Sequence, residues 1–135
     1  MKYIVWFDQL TMDDVGLVGG KNASLGQMIR NLSEHDITIP NGFALTSTAY
    51  WYYITHNKLK ERITQILSEL EVDNVMSLQS VGKEIRTLIE KGEMPQDLHD
   101  EVCQAYDQLC AEYKKKNCAV AVRSSATAED LPTAS

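Results

Sequence analysis

Three apolar stripes in a row, each with helical spacing, fill the middle of this chain and restrict its fold more than any other feature. Leu59, Ile63, Ile66, Leu67 and Leu70 form the first, and Leu78, Val81, Ile85, Leu88 and Ile89 the second. Leu98, Val102, Tyr106, Leu109 and Tyr113 form the third. Residues three, four and seven positions apart share one face of an α-helix, so the pattern predicts three amphipathic helices in succession. Asp73 or Asn74 can cap the second by accepting from free N–H groups of its first turn. Pro95 suits the first turn of the third, Asp97, Asp100 and Glu101 complement its positive end, and Lys114, Lys115 and Lys116 complement its negative end. The lysine triplet therefore reads as a helix terminus in water rather than a binding patch.

The flanks read differently. Tyr3 to Phe7 is a β-branched and aromatic run and predicts a strand. Gln9 to Val18 reads as a polar connection. Leu25, Met28, Ile29 and Leu32 mark one face of a helix that begins at or just after Gly19-Gly20-Lys21. Pro40-Asn41-Gly42 is a turn followed by the strand-like Phe43-Ala44-Leu45. Thr46 or Ser47 can cap a helix carrying Tyr50, Trp51, Tyr52, Tyr53 and Ile54. Cys118 to Val122 is a second apolar run that predicts a strand, with the edge Ala119 to Ser125. The expected architecture is α+β, in which a helical insertion separates two loop-bearing strands. Its parts are residues 1–48 (strand, glycine loop, helix, strand), 49–117 (helical insertion) and 118–135 (strand and loop).

Composition narrows the function. The net charge of −6 argues against nucleic acid or an anionic membrane as partner, since both need a basic face. It leaves room for a phosphorylated small molecule, which needs only a few local cations. The apolar runs are too short for a transmembrane helix, and Met1 to Asp8 is too short and too soon acidic for a signal peptide. Cys103, Cys110 and Cys118 are odd in number and lack CxxC spacing, so they read as reduced packing thiols of a cytoplasmic protein.

Two segments could carry chemistry. In Val18-Gly19-Gly20-Lys21-Asn22-Ala23-Ser24, glycines allow close backbone approach, a helix N-terminus offers N–H groups, and Lys21 adds an ammonium. The spacing is not that of a Walker A loop. In Val122-Arg123-Ser124-Ser125-Ala126-Thr127, Arg123 ends an apolar run, which predicts a partly buried stem and hence a phosphate or carboxylate partner. Glu129 or Asp130 could be that partner. Ser124, Ser125 and Thr127 could donate to phosphate oxygens or simply form a hydroxyl-rich turn. Two anion-cradling loops, each with one cation, suggest a polyphosphate site built from Gly19, Gly20, Lys21, Arg123, Ser124 and Ser125. His35, His56 and His99 are scattered singly, which favours neither a metal site nor a catalytic dyad. The Tyr50–Tyr53 cluster lacks the basic interleaving of a base-stacking platform.

Val18-Gly-Gly-Lys21-Asn-Ala-Ser-Leu-Gly26-Gln-Met28, Ile39-Pro-Asn-Gly42-Phe-Ala-Leu-Thr46 and Ala121-Val-Arg123-Ser-Ser-Ala-Thr-Ala-Glu129-Asp130-Leu-Pro132 together resemble the start of the phosphoenolpyruvate synthase (pyruvate, water dikinase) family. The resemblance runs over essentially the whole chain, in order. Pyruvate phosphate dikinase and rifampicin phosphotransferase share the Gly-Gly-Lys and Val-Arg-Ser elements more distantly.

The resemblance implies the N-terminal part of an ATP-grasp nucleotide-binding domain. Enzymes of this family move a phosphoryl group from ATP to a histidine on a separate mobile domain, and then to pyruvate in a C-terminal barrel. AMP and phosphate are released, and magnesium is required. Lys21 would touch the ATP phosphates, and Arg123, the expected catalytic residue, would hold the terminal phosphates during transfer. In the family the segment beyond Leu131-Pro132 continues into a second lobe with the adenine pocket and the acidic magnesium ligands, so those ligands are expected outside residues 1–135. The expectation is a transferase fragment that binds ATP, is inactive in the full reaction alone, and self-associates through an open strand edge. The rivals are a rifampicin phosphotransferase-like enzyme and a non-catalytic helical interaction module that is indifferent to nucleotide.

Overall fold

The computed structural model describes residues 3–127. Its described residues form two compact units, one of residues 3–50 with 96–127 and one of 51–95, with the division falling inside a helix.

The first unit is built on a two-stranded antiparallel sheet. Strand β1 (Ile4–Trp6) pairs with β2 (Phe43–Leu45) in the register Ile4↔Leu45, Val5↔Ala44, Trp6↔Phe43. The Thr46 N–H donates to the Tyr3 carbonyl at 3.0 Å and the Phe7 N–H to the Gly42 carbonyl at 2.9 Å, which continues the ladder at both ends. The connection after β1 is more structured than its polarity suggests. It forms two 3-10 turns (Phe7–Gln9 and Met12–Asp14) and a short helix α1 (Val15–Val18). Thr11 and Asp14 hold the second turn through a reciprocal capping box. Helix α2 (Gly20–Ser33) begins where the glycines predict. Val5, Leu10, Val18, Ala23 and Ala44 form the core, and Phe7, Val15 and Leu17 pack on it. Gly26 lets α2 sit on the first 3-10 turn: a Cβ there would fall 2.7 Å from the Phe7 carbonyl oxygen and 2.8 Å from that of Leu10.

Helix α3 (Ser47–His56) starts at Thr46, whose buried hydroxyl accepts from the Ala49 N–H at 3.2 Å. Tyr50 and Trp51 on it are about half exposed, in keeping with one buried face and exposed rings. The three predicted stripes become α4 (Lys60–Ser68), α5 (Val75–Glu90) and α6 (Gln96–Glu112). Asn74 caps α5, accepting from the Met76 and Ser77 N–H groups. Helix α5 buries no residue fully, so its stripe is a half-wet face rather than a core. In the second unit Asn57 binds the backbone of Glu93 through both side-chain ends, and the Tyr53 hydroxyl donates to the Ile89 carbonyl. Helix α6 belongs to the first unit and lies against β1.

Two expectations fail at residues 118–127. The apolar run from Cys118 to Val122, expected as a strand, has no regular structure. Val122 is 91% exposed, and Arg123, expected to have a partly buried stem, is exposed. A strand needs a neighbouring edge for its N–H and C=O groups, and among the described residues the sheet holds β1 and β2 alone. Without that pairing the run beyond the buried Cys118 is left exposed.

Candidate functional site

The glycine loop is shaped by its backbone. Gly19, the residue before α2, has φ +86° and ψ 162°, a region closed to side chains other than glycine. That conformation turns the chain between α1 and α2 and starts α2 at Gly20 with its first N–H groups facing outward from the helix end. The Val18 carbonyl, left behind by the turn, accepts from Asn22 Nδ2 at 2.7 Å. It also accepts from Ser125 Oγ at 2.9 Å, across 107 positions of sequence. Both lone pairs of that oxygen are thus used.

This hydrogen bond brings the two candidate loops together. A Cβ at Gly19 would lie 2.9 Å from the Ala126 carbonyl oxygen, and nearer still to Ser125 Oγ. The absent side chain at Gly19 therefore makes room for the chain at Ser125-Ala126. It is a close approach between two backbones of the protein, where the sequence alone suggested close approach to a ligand. The Ser125 proton is committed to Val18, so this hydroxyl offers a phosphate no donor in this arrangement.

The remaining residues fall around that junction. Gly20 is buried, Lys21 is half-buried on the first turn of α2, and Arg123 and Ser124 are exposed just before Ser125. One end of the site is thus a helix N-terminus with a lysine, and the other is an exposed segment with an arginine. A helix N-terminus, an ammonium and a guanidinium form a donor set suited to a polyphosphate. Glu129 and Asp130, the expected carboxylate partners of Arg123, lie outside the described residues. No group of three His, Cys, Asp or Glu side chains able to hold a metal occurs among the described residues. Two open grooves of the first unit, of about 220 and 280 Å³, are lined by none of the six expected site residues.

Sequence reading missed two placements. His99 stands 3.8 Å from Cys103 Sγ on the exposed face of α6, a neighbour relation its i, i+4 spacing allows. Cys110 and Cys118, both buried and free, meet across the turn that ends α6. No spacing rule signals the second pair, because the turn geometry decides it.

A family model described as pyruvate phosphate dikinase, AMP/ATP-binding domain, matches residues 15–135. The chain belongs to that family. It is similar to the proteins named phosphoenolpyruvate synthase of Aquifex aeolicus (47% identical over 132 residues, 98% of this chain and 15% of that protein) and Neisseria meningitidis (49% over 133 residues, 98% and 17%). The phosphoenolpyruvate synthase of Escherichia coli is 43% identical over 132 residues, 98% of this chain and 16% of that protein. The chain thus spans 15–17% of the length of these relatives. No helix among the described residues is long and apolar enough to cross a membrane.

Proposed function

We propose that this chain is the ATP-binding portion of a phosphoenolpyruvate synthase, and that its two loops grip the nucleotide's phosphates. In the whole enzyme the terminal phosphoryl groups of ATP would pass by way of a histidine on a mobile domain. Pyruvate, ATP and water would give phosphoenolpyruvate, AMP and phosphate. The N–H groups at the start of α2 and the Lys21 ammonium would hold one part of the triphosphate. Arg123 would hold the terminal phosphates and offset charge as it redistributes in transfer, which is where most catalysis of phosphoryl transfer lies. The helical segment 49–117 is an insertion in this reading, and the fold is the N-terminal part of an ATP-grasp domain.

The observation that supports this reading is the Ser125–Val18 hydrogen bond, which joins the lysine loop to the arginine segment. Ser125 would act as the tie between loops, not as a phosphate donor. Magnesium would be held by the triphosphate itself and by acidic residues outside residues 1–135.

Calorimetric titration with Mg-ATP tests the assignment. We expect saturable binding by the chain, weakened at least tenfold, about 1.4 kcal/mol, by Lys21→Ala and by Arg123→Ala separately. Binding that neither substitution weakens would place the nucleotide elsewhere. No binding at all would show that these two loops do not suffice for a phosphate site.

A further inference from the structure

The C-terminal end of α6 brings two thiols together. The turn after the helix is a Schellman motif: the Lys115 N–H donates to the Cys110 carbonyl at 3.0 Å and the Lys114 N–H to the Ala111 carbonyl at 3.1 Å, with Lys114 at φ 54°. The chain then doubles back, with Asn117 at φ 51°. It delivers Cys118 to Cys110, eight positions earlier, so that the Cys118 N–H donates to Cys110 Sγ at 3.2 Å. The Tyr106 hydroxyl donates to the Cys118 carbonyl at 2.8 Å and closes the cluster from the preceding turn of α6. Both cysteines are buried, while Cys103 is exposed. Cys103 cannot reach Cys110 along the helix: two turns of rise separate them by about 10 Å, beyond disulfide reach.

We propose that Cys110 and Cys118 are a redox modification site, forming a reversible disulfide that covalently pins the start of the segment bearing Arg123 and Ser125. Exchange with a small-molecule disulfide of the glutathione type supplies the oxidant. The Cys110 thiolate attacks one sulfur of that disulfide, which breaks its S–S bond and expels one thiolate. The Cys118 thiolate then attacks Cys110 Sγ in the mixed disulfide and expels the second. The two protein thiols lose two protons and two electrons in all, and the small disulfide leaves as two thiols.

The surroundings favour Cys110 as the attacking group. Burial pushes its thiol up, but hydrogen bonds from the Cys118 thiol and the Cys118 N–H, with the Tyr106 hydroxyl beside them, outweigh that and hold it below its ordinary value. Its hydrogen bond to Cys110, together with burial, pushes the Cys118 thiol up. The same contact with Cys110, followed by burial, raises the Tyr106 hydroxyl to about 12, so tyrosine stays a donor. The exposed turn Lys114-Lys115-Lys116 sets three cations in the segment between the two cysteines.

Peptide mapping of the full chain after equilibration at a series of reduced-to-oxidised glutathione ratios tests this, with Cys103→Ser run beside the unsubstituted chain. We expect one reversible transition in which both thiols are lost and a peptide pair linked through Cys110 and Cys118 appears. Amide exchange over residues 119–127 should slow in the oxidised form. Cys118→Ser should leave glutathione trapped on Cys110. The inference is overturned if Cys110 and Cys118 stay reduced at ratios that modify Cys103, or carry only separate glutathione adducts. Unchanged exchange over 119–127 would overturn the pinning, and a Cys118→Ser chain with no glutathione on Cys110 would overturn the order of attack. None of these outcomes depends on whether the chain binds nucleotide.

Discussion

Gly19 and Gly26 in the first unit and Gly82 in the second serve opposite purposes. In the first, Gly19 and Gly26 sit where backbone meets backbone: Gly19 against Ala126, Gly26 against the carbonyls of Phe7 and Leu10. In the second, Gly82 lies in the middle of α5, where the nearest atom to a Cβ is the far end of the Arg86 side chain at 3.1 Å. The first unit is thus specified by close chain approach and by left-handed backbone at Gly19, Asp36, Lys114 and Asn117. The second is specified by amphipathic stripes whose members are mostly half-buried. Function is expected to fall where the backbone is most constrained, because a pre-shaped loop spends little ordering free energy when a ligand arrives.

Gly19→Ala should separate the two regimes most sharply. It forces a side chain into φ +86°, ψ 162° and into contact with Ser125 Oγ and the Ala126 carbonyl. Backbone strain and overpacking together predict a loss of roughly 2–4 kcal/mol in unfolding free energy, read by urea denaturation. A change below about 0.5 kcal/mol, the level of ordinary surface substitutions, would mean that the two loops do not touch in solution.

Ser125→Ala comes next in size. It removes one hydrogen bond to Val18 O on a partly exposed surface, and Asn22 still occupies that carbonyl. The expected loss is about 0.5–1.5 kcal/mol. Combined with Gly19→Ala it should cost less than it does alone, because trimming the hydroxyl removes part of the clash. A double-mutant cycle with no coupling would show that residues 18–19 and 125 act independently.

Local elements were legible wherever a local rule decides them. Asn74 and Thr46 cap their helices because short polar side chains reach free N–H groups one turn on, and Gly19-Gly20 marks the start of α2. The stripes of α4, α5 and α6 follow from periodicity alone. The run Cys118 to Val122 misled because apolar alternation states a preference for a strand, while a strand also requires a partner edge. The burial of Arg123 failed with it. The pairing of Ser125 with Val18 spans 107 positions, and residue types at either end announce no such contact. The two loops could be marked as candidate phosphate cradles from their glycines, hydroxyls and cations. That they touch, and that Gly19 is spent on the protein's own chain, depends on the fold. Cys110 and Cys118 were likewise invisible as a pair, since only the left-handed residues of the turn bring them together.

Gly82→Ala tests the other side of the comparison and should have the smallest effect, with the opposite sign. Its backbone is ordinary helix, inside α5 (Val75–Glu90), and the one close neighbour is a flexible guanidinium end that can swing aside. Alanine removes backbone freedom from the unfolded chain and exposes less helix backbone to water, which is worth about 0.5–1 kcal/mol in a helix interior. A rise of that size in unfolding free energy is expected, again by urea denaturation. A loss instead would mean that α5 packs more closely at Gly82 than its half-exposed stripe indicates. The second unit would then be held, like the first, by close approach rather than by amphipathic pattern.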